Sequence, residues 1–410
     1  MPFKYIKVKT KGQIEGEDLL APKLRFKEFD NNWNLVTLKS LMDFKNGINA
    51  PKDAYGKGIK YISVTDILNN NFITYEKIKG LVDIDSTTLE NNSVTYGDVL
   101  FQRSSETIED IGRSNVYLDA NKMATFGGFV IRGKKKGAYN PLFINYLLQN
   151  NSSRKSIIVK GAGAQHYNIS QEELEKIKVY FTTMAEQEKI GYFLSLLDKK
   201  IELQQRKIEA LKIYKKGLIN KLLNSNDTLN WKHIKLNDIL LPGSKEKVLD
   251  TSKFQKINIK LNLKGLFKNN SNREMADTRP FYIRNVNEII IGKQNYFNGS
   301  IAIVTDDFDG CICSNAIMSF SIKNDNPKFI YYYISQPNYI KKRAFLANGT
   351  GQKELSEKEF LNFEIYLPSI EEQNYIVNIL DFVESKFNIE NSKYEDLKLM
   401  KKSLLQQMFI

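Results

Sequence analysis

Ser170-Gln-Glu-Glu-Leu-Glu-Lys-Ile-Lys-Val-Tyr180 is followed 186 residues later by Ser356-Glu-Lys-Glu-Phe-Leu-Asn-Phe-Glu-Ile-Tyr366, and the match continues without a gap to Leu223 and Phe409. Fifteen of the 54 aligned positions are identical, among them Glu186/Glu372, Gln187/Gln373, Leu194/Leu380, Leu211/Leu397, Lys215/Lys401 and Leu218/Leu404. Shared helical bias does not hold one register through so many identities, so the chain is two copies of one unit. Upstream, Gly161-Ala-Gly-Ala-Gln165 echoes Gly349-Thr-Gly-Gln352, and Asn140-Pro141-Leu-Phe143 echoes Asn326-Pro327-Lys-Phe329. Trp33-Asn-Leu-Val-Thr-Leu38 returns as Trp231-Lys-His-Ile-Lys-Leu236. Between these landmarks, Ile48 to Ile131 and Pro242 to Ile322 share little beyond a strand-like texture. A duplication held to one task has no reason to diverge only in its middles, whereas two readers of different targets on one scaffold do.

From Glu186 the apolar spacing alternates four and three: Ile190, Leu194, Leu197, Ile201, Ile208, Leu211 and Leu218, interrupted by Gln204 and Lys215. The second copy runs Ile376, Leu380, Val383, Phe387, Tyr394, Leu397 and Leu404, interrupted at the matching Glu390 and Lys401. This is a coiled-coil seam, and matched polar breaks suit register control between two helices that pair with each other. At 1.5 Å per residue each helix is roughly 55 Å long, more than an ordinary core helix needs. The expected fold class is α+β. Residues 1–23 form an extension, 24–185 a mixed α/β domain, 186–225 a long helix, 226–371 a second mixed domain and 372–410 a second long helix. The two helices pair as an antiparallel coiled coil that separates the domains.

Sixty Lys+Arg against 47 Asp+Glu give a net charge of +13, which favours a polyanionic partner, nucleic acid first, or else reflects a Lys- and Asn-rich composition bias. No apolar run approaches the roughly 20 residues of a membrane span, and Met1 to Leu20 lacks an apolar signal core, so a cytoplasmic protein without membrane contact is expected. Cys311 and Cys313 are too few for a disulfide framework or zinc site and read as buried small residues.

The candidate DNA-contacting residues lie near the strand ends and the Gly-rich loops. Arg103-Ser104-Ser105-Glu106 follows the strand Val99 to Phe101 and offers a guanidinium and two hydroxyls to phosphate or guanine, or forms a serine-stabilised turn. Lys160-Gly-Ala-Gly-Ala-Gln165 and its counterpart ending in Gln352-Lys353 bring amides and a glutamine close to DNA, or are bare turns; neither has P-loop spacing. Arg113, Arg132 and the cluster Lys341-Lys342-Arg343 complete the candidates, with solvated faces as the alternative. No catalytic, metal or cofactor-binding set is apparent: His166 and His233 stand apart, and Asn140-Pro-Leu-Phe143 is a broken form of the Asn-Pro-Pro-Tyr signature of amino-methyltransferases and reads as a helix start. That broken motif is the sole support for the alternative reading, a self-contained methyltransferase or nuclease.

With these segments assembled, the chain resembles the DNA-specificity subunits of type I restriction-modification enzymes over nearly its full length. Pro22-Lys-Leu-Arg-Phe26 with Trp33, Gly97-Asp-Val-Leu-Phe-Gln-Arg-Ser-Ser-Glu106, Gly127-Gly-Phe129 with Arg132, Gly161 to Gln165 and the two Glu-Gln pairs carry the resemblance. Thr182 stands where the family commonly has proline, which Pro368 supplies in the second copy, and the second domain lacks a clear Arg-Ser-Ser-Glu counterpart. The resemblance implies two target-recognition domains, each reading half of a split site in double-stranded DNA, with the paired helices as spacer. It also implies two methylation subunits carrying S-adenosylmethionine, docked on the helices, and restriction subunits joining that core, this chain itself being non-catalytic.

Overall fold

In the computed structural model the two seams form helices Met184–Asn224 and Ile370–Gln407, each beginning two residues before its Glu-Gln pair. The structure describes residues 6–8, 20–163, 166–224, 230–269, 279–344 and 354–410. Two units divide the chain, residues 1–206 with 392–410 (unit one) and residues 207–391 (unit two). Each unit includes the opening part of one long helix and the closing part of the other, because each core takes apolar side chains from both.

In unit one, Asp198 meets Lys401 at 2.5 Å and Gln205 accepts from the Tyr394 hydroxyl at 3.4 Å, so the two helices run antiparallel there. In unit two, Lys207 meets Glu390 at 2.9 Å and Lys215 meets Glu384, again antiparallel. The pair Lys215–Glu384 is the repeat image of Lys401–Asp198, since each lysine and each acid is shifted by 186. The polar breaks at Lys215 and Lys401 are therefore the cations of ion pairs within the helix pairing, and Glu390 is an acid of another. A partly buried pair of this kind stabilises little after desolvation but disfavours other registers by leaving its charge unpaired. All the apolar seam positions from Ile190 to Leu218 and from Ile376 to Leu404 are buried or half-buried.

Each core is plugged by a helix tail. In unit one Phe409 packs on Trp33 (ring centroids 6.1 Å apart) and on Phe143 (5.5 Å), and Leu404 and Met408 join the same cluster. In unit two Leu223, the repeat partner of Phe409, enters the cluster that holds Trp231 and Phe329, whose rings lie 5.8 Å apart.

The Glu-Gln pair at each helix start ties the helix to the same unit's body. Gln187 accepts from the Asn140 amide at 3.0 Å and donates to the Thr182 carbonyl at 2.7 Å. Gln373 repeats both bonds with Asn326 (2.9 Å) and Pro368 (3.1 Å), so Thr182 preserves the turn that proline makes in the second copy. Glu186 is fully buried and held bidentately by Arg25 at 2.6 and 2.7 Å, with the Thr182 hydroxyl as a further donor. The Asn140 and Asn326 side chains cap helices Pro141–Gln149 and Pro327–Ile334, where proline occupies the first turn at no hydrogen-bonding cost. Asn-Pro-Leu-Phe is thus a helix start.

The divergent middles keep one sheet order. Unit one has an antiparallel sheet ordered Met42–Asn46, Val130–Lys135, Val99–Gln102, Ser114–Val116; unit two orders Leu240–Pro242, Ile317–Ile322, Ile289–Gly292, Ile301–Ile303. A second small sheet in unit one joins Thr125–Phe126, Tyr55–Ile62 and Gly80–Val82. In each unit a strand opening at the tryptophan pairs with the strand preceding the long helix: Asn34–Thr37 with Lys178–Phe181, and Lys232–Lys235 with Glu364–Leu367. Cys311 and Cys313 are free and buried, and no described helix is long and apolar enough to cross a membrane.

Phe409→Ala should lower the stability of unit one by about 3–5 kcal/mol, and Leu223→Ala that of unit two by about 2–5 kcal/mol, the cost of a core cavity. The two tryptophans, Trp33 and Trp231, fall one to each unit, so denaturant titration of Trp33→Phe and Trp231→Phe backgrounds reads the units separately. A loss below about 1 kcal/mol would mean that the tails are not core elements.

Candidate DNA interface

Where Val99–Gln102 ends, the backbone turns a corner that three segments hold. The Arg103 amide donates to the Phe129 carbonyl at 2.9 Å, and the Arg103 carbonyl accepts from the Ile169 amide at 3.1 Å. Ser104–Ser105 then pairs antiparallel with Tyr167–Asn168, and the Ser104 hydroxyl donates to the Asn168 side chain at 2.5 Å. Ala162 and Asn168 bridge the base of the Gly-rich loop. Gly163 sits there at φ 139°, and a Cβ on it would lie 2.0 Å from the His166 carbonyl oxygen. The corner and the loop, separate readings in the sequence, are thus one structure. The half-buried Arg103 guanidinium donates to the Gly128 carbonyl at 3.2 Å and borders a cleft of about 460 Å³ shared with Lys160, Asn168, Gln171 and Glu173.

Unit two repeats this corner with other side chains. The Lys293 amide donates to the Ala316 carbonyl at 3.1 Å and its carbonyl accepts from the Leu355 amide at 2.9 Å, matching the bonds of Arg103 to Phe129 and Ile169. Gln294 donates to Glu354 at 3.1 Å, where unit one has Ser104 and Asn168. Lys293 and Gln294 are therefore the counterpart of Arg103-Ser104 that the sequence did not disclose. The signal was available only as position: Leu355 and Glu354 lie 186 residues beyond Ile169 and Asn168.

The remaining candidates divide by what already occupies them. Ser105 accepts from the Thr107 amide in the turn that follows. Lys160 faces Glu173 at 3.1 Å, and the Lys176 amine, followed by that of Lys160, holds the Glu173 carboxyl below its usual range. Arg113 is exposed and pairs with Asp110 at 2.6 Å. Its neighbour Arg154 anchors the loop through the Glu109 and Ile111 carbonyls at 2.9 and 2.7 Å; burial, then the charge of Arg113, pulls its guanidinium down to about 10. Arg132 departs from the expectation. It is 5% exposed, its guanidinium lies over the Phe126 ring and donates to the Ser93 carbonyl, and burial lowers its pKa. A cation so enclosed meets no DNA in this conformation. Arg343 is likewise engaged, stacked 3.5 Å over the Tyr339 ring and donating to the Glu364 carbonyl, whereas Lys341 and Lys342 are exposed. Gln165, Gln352 and Lys353 lie outside the described residues. Among the described residues no group of three or more His, Cys, Asp or Glu is placed to hold a metal.

On the helix faces away from the seam, apolar residues recur at repeat-matched positions. Unit one exposes Leu196, Leu203 and Leu399; unit two exposes their images Phe382, Ile389 and Ile213. Apolar residues repeated on solvent-facing positions of both copies point to a contact with another protein.

Residues 30–212 and 228–399 each match the family described as type I restriction modification DNA specificity domain. Over 407 residues the chain is 26% identical to the MjaX type I restriction enzyme specificity subunit of Methanocaldococcus jannaschii, covering 92% of this chain and 93% of that one. It is 22% identical over 300 residues to the MjaVIII specificity subunit of the same organism, covering 66% and 70%. In fold it is similar to the type I restriction-modification S subunit of M. genitalium, with TM-score 0.60 and 19% identity over 95% of this chain and 99% of that one. With one specificity domain in each half, the chain belongs to the family of type I restriction-modification DNA-specificity subunits.

Proposed function

We propose that this specificity subunit reads a two-part DNA site, unit one taking one half and unit two the other, through the corners at Arg103 and Lys293. The recognition domains in this reading are residues 24–185 and 226–371. The observation that carries it is one backbone frame presenting two chemistries: Arg103, Ser104 and Asn168 in unit one, Lys293, Gln294 and Glu354 in unit two. An arginine fork suits guanine, while an amide beside a carboxylate suits adenine or cytosine edges, so the same docking selects different bases. Exposed Arg113, Lys341 and Lys342 serve the phosphates, as do Gln165, Gln352 and Lys353 of the Gly-rich sequence stretches, and Lys160 acts once DNA displaces Glu173.

The chain is a recognition component and not an enzyme. Two methylation subunits, which bring the S-adenosylmethionine, seat on the repeat-matched apolar positions of the long helices in this reading, and restriction subunits join the assembly. A duplicated surface takes a duplicated partner.

In the complex with its methylation subunits, Arg103→Ala should relax base preference in one half of the methylated motif and weaken binding by about 1–3 kcal/mol, leaving the other half intact; Lys293→Ala should do the converse. Sequencing of methylated bases and binding at fixed salt read both. If either variant alters both halves, or neither alters any, the assignment of one half to each unit is wrong. For the partner surface, Phe382→Glu should remove one methylation subunit from the assembly without lowering thermal stability, and Phe382→Glu with Leu196→Glu should remove both. Light scattering that still finds both copies on the double variant would place docking elsewhere.

A further inference from the structure

Phe129 is 68% exposed, yet the turn that carries it is among the most closely packed backbone of unit one. Gly127 to Val130 closes on itself through the Val130 amide and the Gly127 carbonyl at 2.8 Å. The Gly127 amide donates to the Ile62 carbonyl at 3.0 Å, and the Gly47 amide donates to the Val130 carbonyl at 3.0 Å. No side chain fits at the glycines: a Cβ on Gly127 would lie 2.0 Å from the Tyr61 hydroxyl, and one on Gly128 2.0 Å from the Asn49 side chain. Arg103 grips the next two carbonyls, its amide on that of Phe129 and its guanidinium on that of Gly128. A large aromatic ring is thus held out in solvent on a turn fixed from three sides, whose backbone is bonded to the residue that opens the proposed DNA corner.

An exposed phenyl ring has no benefit to the folded chain by itself, since its apolar area stays wet. Rigid presentation removes most of the ordering cost on binding, with only two side-chain torsions left to fix. In unit two the corresponding turn residue, whose carbonyl accepts from Lys293, is Ala316. Of the two units of this chain, only unit one carries the ring at this turn position.

We propose that Phe129 is a specificity-determining residue for the half-site read by unit one, packing its ring against the base pairs beside the Arg103 contact. This rests on the DNA reading of the corner given above. Aromatic and other apolar side chains read bases by covering a thymine methyl or by wedging against a base step, and neither mode neutralises a phosphate. The contact therefore leaves the salt dependence of binding untouched.

The test uses the assembled complex of the full chain with its methylation subunits and compares wild type, Phe129→Ala, Phe129→Leu and Arg103→Ala. Phe129→Ala should weaken binding to the cognate duplex about tenfold, leave affinity for non-cognate duplex unchanged, and relax the methylated motif at one or two adjacent positions of one half. The slope of log affinity against log salt should stay at its wild-type value, and Phe129→Leu should retain part of the affinity. Because the ring is exposed, the thermal midpoint should not move, which separates the effect from unfolding. An unchanged motif and affinity in Phe129→Ala overturns the proposal. So does an equal loss on non-cognate DNA, or loss of a methylation subunit in place of DNA affinity, which would make the ring a protein contact. If Arg103→Ala alters one half-site while Phe129→Ala does not, this inference alone fails; if neither alters either half, the DNA reading of the corner fails with it.

Discussion

Everything in this chain depends on each core being closed by a helix tail that comes from the other sequence copy. Phe409 fills the space between Trp33 and Phe143 in unit one, and Leu223 joins Trp231 and Phe329 in unit two. The sequence repeat and the compact unit are consequently different divisions of the chain. Within each unit the opening stretch of one helix runs antiparallel to the closing stretch of the other. The ion pairs Asp198–Lys401 and Lys215–Glu384 then fix the register, and the exchange explains why the same pair occurs twice.

The repeat and seam were legible because periodicity is a property of the sequence alone. Matched interruptions at Gln204/Glu390 and Lys215/Lys401 marked the register positions, but their ionic partners Asp198 and Glu384 lie off the seam and became visible only when the helices met. Arg103 was legible from its place after a strand. Lys293 and Gln294 were not, because the equivalence of the two corners resides in backbone hydrogen bonds, which any side chain permits. Arg132 misled for a related reason. Its strand is covered on both faces, so Val130, Ile131 and Arg132 are all buried and two-residue alternation does not say which side chain meets solvent.

The two units therefore differ in a particular way. What is held constant is the set of joints: the Gln187 and Gln373 bonds to the body of the same unit, the capped helices after Asn140 and Asn326, and the strand pairs beside each tryptophan. What varies is the surface on the strand ends that those joints present. In the proposed reading, stability resides in the joints and selectivity in side chains that contribute little to the core, so the second can change without loss of the first.

The tail exchange also sets an order in time. Unit one is made first but its core lacks Phe409 until residues 392–410 have been synthesised, after the whole of unit two. At about 5–20 residues per second the ribosome takes roughly 10–40 s over the intervening stretch. During that interval the faces of Trp33 and Phe143 that Phe409 later covers remain open to water on a nascent chain. The newborn protein thus passes through a state in which its first domain is present and unsealed, a window for chaperone binding or for capture by the tail of a neighbouring copy on the same message.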